Sequence, residues 1–386
     1  MTRLLWLAPA IALGALAQEK SAVTREGAYW VDTVTGSFAV ERSLSVSTVG
    51  AVSVQGVSSP GAVTYSLKRR AKADSAAAAR AILDRIAVRS SQRGGAAVIE
   101  VSVPGGGRAS ADLNLAVPRG LRETALVTSS GPIRAFDLGG ALRADTRGGP
   151  IEIDRIQGAV TVRTGGGAVR LGRIGGKLEC YSGGGRIFAE SLGADAWLNT
   201  GGGEILVREA RGMVHARTAG GNIRVERATH GVQVAAGSGL IDVVEAGGPV
   251  VAETGVGSIK IRSSSNVQCN SGAGTIHVQA VSGALRAATR SGSIVADLSG
   301  ARQLETSSLT TNAGDITVLI PSNLPVTVEA VNSTPGMNRI ISDFAEIRPR
   351  AERENGRSAA HGSLGGGGPV LRLTTAAGTI YLRREK

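Results

Sequence analysis

"TGGGEILVREARGMVHAR", Thr200–Arg217, is one full period of a repeat. Three glycines follow Thr200, apolar residues occupy alternate places at Ile205 and Val207, a polar turn intervenes, and the alternation resumes at Val214 and Ala216. Alternation of this kind gives each segment one buried face. Two short strands cannot bury that face alone, so the stretch requires neighbours stacked on it.

Those neighbours are present. Units with Gly at the fourth place begin at Thr128, Thr146, Thr164, Ser182, Thr200, Thr218, Ala236 and Thr254, in seven consecutive steps of 18. Further units begin at Ser271, Thr289 and Thr311, a last one at Thr375, and an early one at Ser47. The fourth-place glycine, as in Gly50, Gly203 and Gly257, marks either a positive φ or a neighbouring backbone too close for a side chain. Places six, eight, 15 and 17 face inward, so place six stacks over place six and Ile205 lies beside Ile223. The reading is an all-β parallel β-solenoid, a right-handed β-helix with 18-residue coils, about 4.8 Å apart. Outward columns nine (Glu190, Arg208, Glu226) and ten (Glu209, Arg227, Glu245) alternate in sign and read as surface ion-pair ladders.

Composition agrees with this architecture. The 386 residues include 55 glycines, are 42% hydrophobic and only 3% aromatic, so the core is built from small and branched aliphatic side chains. Arg3, the apolar run Leu4–Leu16 and the triplet Ala15-Leu16-Ala17 predict a signal peptide over 1–17, cut before Gln18. No later apolar run is long enough to span a membrane as a helix, so the mature protein is expected to be exported to the periplasm, outer surface or medium. Residues 18–127 are expected to hold N-terminal strands and a capping helix at Ser75–Val88 with Asp74 as its cap. Residues 128–331 form the repeat array, and 332–386 a polar loop followed by the final coil.

The formal charge of +12 falls to +11 without Arg3. Such a balance favours anionic partners, yet the basic residues form no run and do not interleave with aromatics, and export disfavours nucleic acid. The repeat lacks the regular aspartate of calcium-binding β-rolls, and His215, His230, His277 and His361 fall at unrelated places, so neither metal nor other cofactor is expected. No catalytic residues are assigned. Cys180 and Cys269 are inward places five coils apart, too distant for a disulfide. One outward cluster stands out: Tyr181 at place 18, Trp197 and His215 at place 16 of the next two coils, with Met213 beside them, form a candidate ligand patch.

The stretches "STVGAVSVQG", "ADSAAAARAILDRIAV" and "LNLAVPRG", the TxGGxIxV coils and the ending "SLGGGGPVLRLTTAAGTIYLRR" resemble the bacterial putative-adhesin family of unknown function. That resemblance implies an exported β-repeat envelope protein and carries no catalytic residues. The expected function is a non-enzymatic adhesin or surface scaffold whose partner is an envelope glycan or a surface protein. The alternatives are a carbohydrate-active enzyme on a parallel β-helix and a self-assembling β-helix scaffold.

Overall fold

The computed structural model describes residues 19–385 apart from 59–60, 94, 104–106, 302, 334–338 and 352–356. The expected signal peptide, 1–17, lies outside the described residues. The chain divides into two units, Met1–Gly148 and Gly149–Lys386.

In the second unit the repeat becomes two parallel sheets. One contains Ile187–Leu192, Ile205–Ala210, Ile223–Ala228 and Ile241–Ala246 among its strands; the other contains Leu178–Ser182, Ala196–Thr200, Val214–Thr218 and Val232–Ser238. We call these the first and second sheets. Register follows the repeat: Ile205 pairs with Ile187 and Ile223, and Val214 with Ala196 and Val232. All of these are buried, so the chain is the expected β-solenoid. A further inward column, at place 11, runs Ile174, Leu192, Ala210, Ala228, Ala246.

The place-one hydroxyl joins successive coils. Thr200 Oγ1 donates to the Gly185 carbonyl at 2.9 Å, and Thr218 Oγ1 donates to that of Gly203 at 3.0 Å. That approach explains the fourth-place glycine, because a Cβ on Gly203 would sit 2.2 Å from the Gly185 oxygen.

The end of the second unit departs from chain order. Val370–Ala377 and Thr379–Arg384 pair in parallel with Ser307–Ala313 and Ile316–Ile320. The earlier strands Val326–Asn332 and Arg339–Ser342 then stack on the outer side of this last coil. The stretch expected as a polar loop also differs: Arg348–Ala351 and Ser358–Leu364 form an antiparallel pair, and Ser358–Leu364 lies antiparallel to Val326–Asn332. An antiparallel strand on the outermost coil occupies an edge that would otherwise present unpaired backbone groups.

The first unit uses a similar device. Ser43–Thr48 lies between Ala96–Ser102 and Glu123–Thr128, and Val52–Val57 lies between Ala109–Pro118 and Ile133–Leu138, so the earliest coil is enclosed by two later ones. Thr48, not Ser47, pairs with Thr128, because the turn at Gly50 is one residue shorter than in the later coils. Antiparallel strands Ala62–Ala71, Tyr29–Ala39 and Ala87–Arg93 extend the two sheets. The helix spans Ala76–Leu83, with Ser75 rather than Asp74 as its cap: Ser75 Oγ accepts from the Ala78 N–H at 3.2 Å. It stops short of Val88 because buried Arg69, paired with Asp32, donates to the carbonyls of Leu83 and Ile86 at 2.9 and 3.2 Å. Beyond it the chain pairs as a strand.

Candidate functional site

On the outer face of the second sheet, place 18 gives an in-register row: Tyr181, Asn199, Arg217, Ala235, Glu253, Asn270. Place two, just past the hydroxyl row, is Gly183, Gly201, Ala219, Gly237, Gly255 and Gly272, ending at Arg290. Backbone proximity keeps this floor small, since a Cβ on Gly183 would lie 1.9 Å from the Gly165 oxygen. The projecting row and the low floor enclose a groove of about 860 Å³, with exposed Tyr181 at one end and Arg290 at the other. Tyr181 and Asn199 also line a hollow of about 390 Å³ with Arg163, Lys177, Glu179 and Trp197.

Trp197 and His215 are stacked, with ring centroids 5.0 Å apart and planes 9° apart. Lys177 Nζ, from the preceding coil, lies 4.4 Å from the Trp197 ring centroid. The indole is thus contacted from both directions along the stack. His215 Nδ1 lies 3.1 Å from Gln233 Oε1, extending the ladder by one coil. Tyr181, 60% exposed, is the ring of the trio most open to solvent. Met213 stands apart from the hollows that Trp197 and His215 line, and its sulfur faces Gly231 at the other turn. Lys177 also pairs with Glu179 at 2.8 Å, and this hydrogen bond and the accompanying charge hold the Glu179 carboxyl below its ordinary pKa.

The groove row treats charge differently from the first sheet. On the first, Arg186 pairs with Glu204 at 3.2 Å, Arg208 with Glu226 at 3.7 Å and Arg227 with Glu245 at 3.1 Å, each across one coil. Arg224 and Arg262 both reach Asp242. In the groove, Asn199, Arg217, Glu253, Asn270 and Arg290 make no side-chain hydrogen bond or ion pair among the described residues. Ala235 separates Arg217 from Glu253 in the row, which keeps that pair from closing.

Both cysteines are free and buried, and burial pushes their thiols far above the ordinary range. Five register steps separate them, from Cys180 through Leu198, Ala216, Val234 and Ala252 to Cys269. Among the described residues, no group of three His, Cys, Asp or Glu side chains is placed to hold a metal ion.

Residues 204–383, which hold most of the groove, match the Toastrack DUF4097 family. Over that stretch the chain is similar to the Toastrack family, a domain family of unknown function. Two solved structures are similar at low identity. One is a putative cell adhesion protein from Clostridium sporogenes: 10% identity over 96% of this chain and 100% of that one, TM-score 0.18. The other is a putative adhesin from Bacteroides fragilis: 14% identity over 61% of this chain and 96% of that one, TM-score 0.29. No curated protein matches.

Within the Toastrack stretch lie Arg217, Glu253, Asn270 and Arg290, whereas Tyr181 and Trp197 precede it. Sequence reading singled out the aromatics and passed over this polar row. The available signal was negative: place 18 lacks the one-coil sign alternation that lets Arg208 pair with Glu226 and Arg227 with Glu245.

Proposed function

We propose that this chain is a non-enzymatic, exported cell-envelope protein, an adhesin or surface scaffold that binds through the outer face of its second sheet. The contrast in charge pairing carries the reading. Exposed ion pairs on the first sheet each contribute at most about 1 kcal/mol and satisfy one another. The groove residues have no such internal use, and they border a concavity open to an extended partner. Among the described residues Glu253 is the only carboxylate lining the groove, whereas glycoside hydrolysis ordinarily needs two.

Retention of cell-envelope components by the immobilised protein tests this reading. Tyr181→Ala combined with Arg217→Ala should abolish retention, while Arg227→Ala on the opposite sheet should leave it intact. Equal retention by all three proteins would refute the assignment of the binding face.

A further inference from the structure

We infer that the groove binds a linear acidic glycan lying along the stacking direction of the coils; this rests on the proposed binding face. The groove crosses the corners of seven coils, from Ser182 to Thr289, hence six steps of about 4.8 Å or roughly 29 Å in all. A partner that follows it must be long, narrow and able to make a similar contact at each coil.

The floor rules out one such partner. A peptide adding as a strand needs free backbone donors and acceptors. Here those groups are already committed: the Gly183 N–H donates to the Thr164 carbonyl at 2.9 Å, the Gly201 N–H to that of Ser182 at 3.2 Å, and the Ala219 carbonyl accepts from Ser238 at 3.1 Å. The ligand must therefore be read by side chains. Those available are the two amides Asn199 and Asn270, the Tyr181 ring, and the guanidinium groups of Arg217 and Arg290.

This set suits sugars. Amides donate to and accept from hydroxyls, and an aromatic face packs on the C–H face of a pyranose ring. Arginine recognises carboxylate by a planar fork. Among the described residues Arg217 and Arg290 are exposed and unpaired, and Glu253, the one acid lining the groove there, leaves it positive. Carboxylates spaced along a chain of uronate rings provide the complementary charge. Arg163, beside the Tyr181 end, extends the positive character into the adjoining hollow.

The test is titration of the full mature chain with three linear uronate polymers, polygalacturonate, alginate and hyaluronan. Methyl-esterified polygalacturonate serves as the uncharged control and polyglutamate as the non-sugar polyanion. Binding to at least one uronate polymer is expected, weakened at least tenfold by Arg217→Ala and by Tyr181→Ala, with little binding to the ester. Arg227→Ala, on the other sheet, should bind as the parent does, and melting curves of all variants should coincide. Failure to bind any uronate polymer, equal affinity for the ester, or equal affinity for polyglutamate overturns the acidic-glycan assignment. If envelope retention still depends on Arg217 in that event, the binding face stands and only the ligand class falls. If retention is also indifferent to Arg217, the proposed function falls with it.

Discussion

The coils of the second unit turn the groove corner in two different ways. In those beginning at Thr164, Ser182, Thr200 and Thr218 the third place is glycine, and the strand ends at place one. The fourth-place N–H then folds back onto the place-one hydroxyl, as Gly203 does onto Thr200 at 3.2 Å. In the coils beginning at Ala236, Thr254, Ser271, Thr289, Thr311 and Thr375 the third place carries a side chain, and the strand runs on through it. In all of these but the last the fourth-place N–H donates to the adjoining coil, as Gly257 does to the Ala273 carbonyl at 2.8 Å. One turn satisfies its amide internally; the other passes it along the ladder. Glycine at place three disfavours an extended strand, but a Cβ there does not decide the turn alone: Ser130 holds that place in the coil beginning at Thr128, and the Gly131 N–H still donates to Thr128 Oγ1 at 3.3 Å.

Replacing the fourth-place glycine should separate the two classes most widely. Gly257 has φ +151, where L side chains are rarely found, and its Cβ would lie 2.0 Å from the Gly239 oxygen. Gly257→Ala combines strain with collision and should cost about 3–5 kcal/mol. Gly203 lies outside the positive-φ region and meets only the collision, so Gly203→Ala should cost about 2–3 kcal/mol. Chemical denaturation, with hydrogen exchange to localise the loss, reads both. Equal losses would mean that φ contributes nothing and that the turns differ in hydrogen bonding alone.

Much of this was legible beforehand. The 18-residue spacing and the alternation placed Ile205 beside Ile223 and put Cys180 five coils from Cys269, because register in a solenoid is fixed by the repeat itself. The order of coils at the chain ends was not legible. Periodicity shows that Val370–Ala377 is a coil, but not that it inserts between Ser307–Ala313 and Val326–Asn332 after an excursion. The place-11 column escaped because its size drifts from Ile174 to Ala210. At the proposed binding face, Tyr181 was visible as a rare exposed aromatic; the significance of Arg217 and Arg290 appeared only once their lack of partners among the described residues could be seen.

The hydroxyl row offers a finer probe. Thr200 Oγ1 does two things, accepting from the Gly203 N–H and donating to the Gly185 carbonyl. Thr200→Val keeps the shape, removes both bonds and leaves a partly buried amide unpaired, which should cost about 1.5 kcal/mol. Ser271 Oγ donates to the Gly257 carbonyl at 3.2 Å, while the Gly274 N–H is already held by the Ser291 carbonyl at 2.8 Å. Ser271→Ala therefore loses one bond and strands no donor, and should cost about 0.5–1 kcal/mol. A larger loss at Ser271 than at Thr200 would reverse the assignment of the two turns.

The smallest effect is the sharpest, because its sign differs. Thr254 is 5% exposed, and its Oγ1 is buried with no hydrogen-bond partner among the described residues. It has no amide to accept from, because the Gly257 N–H is engaged with the Ala273 carbonyl at 2.8 Å. Ala236, one coil back, has no hydroxyl at all, so the row is already broken at this point. A buried hydroxyl that gains nothing in return for leaving water is a net cost to the folded state. Thr254→Val keeps the branched shape and removes that cost, so it should be neutral or stabilising by up to about 1 kcal/mol, where the same change at Thr200 destabilises. Denaturation midpoints of the two valine variants, measured side by side, decide the matter. Equal destabilisation would show that Thr254 holds a bond in solution as the rest of the row does, and the break in the hydroxyl ladder would then be confined to Ala236.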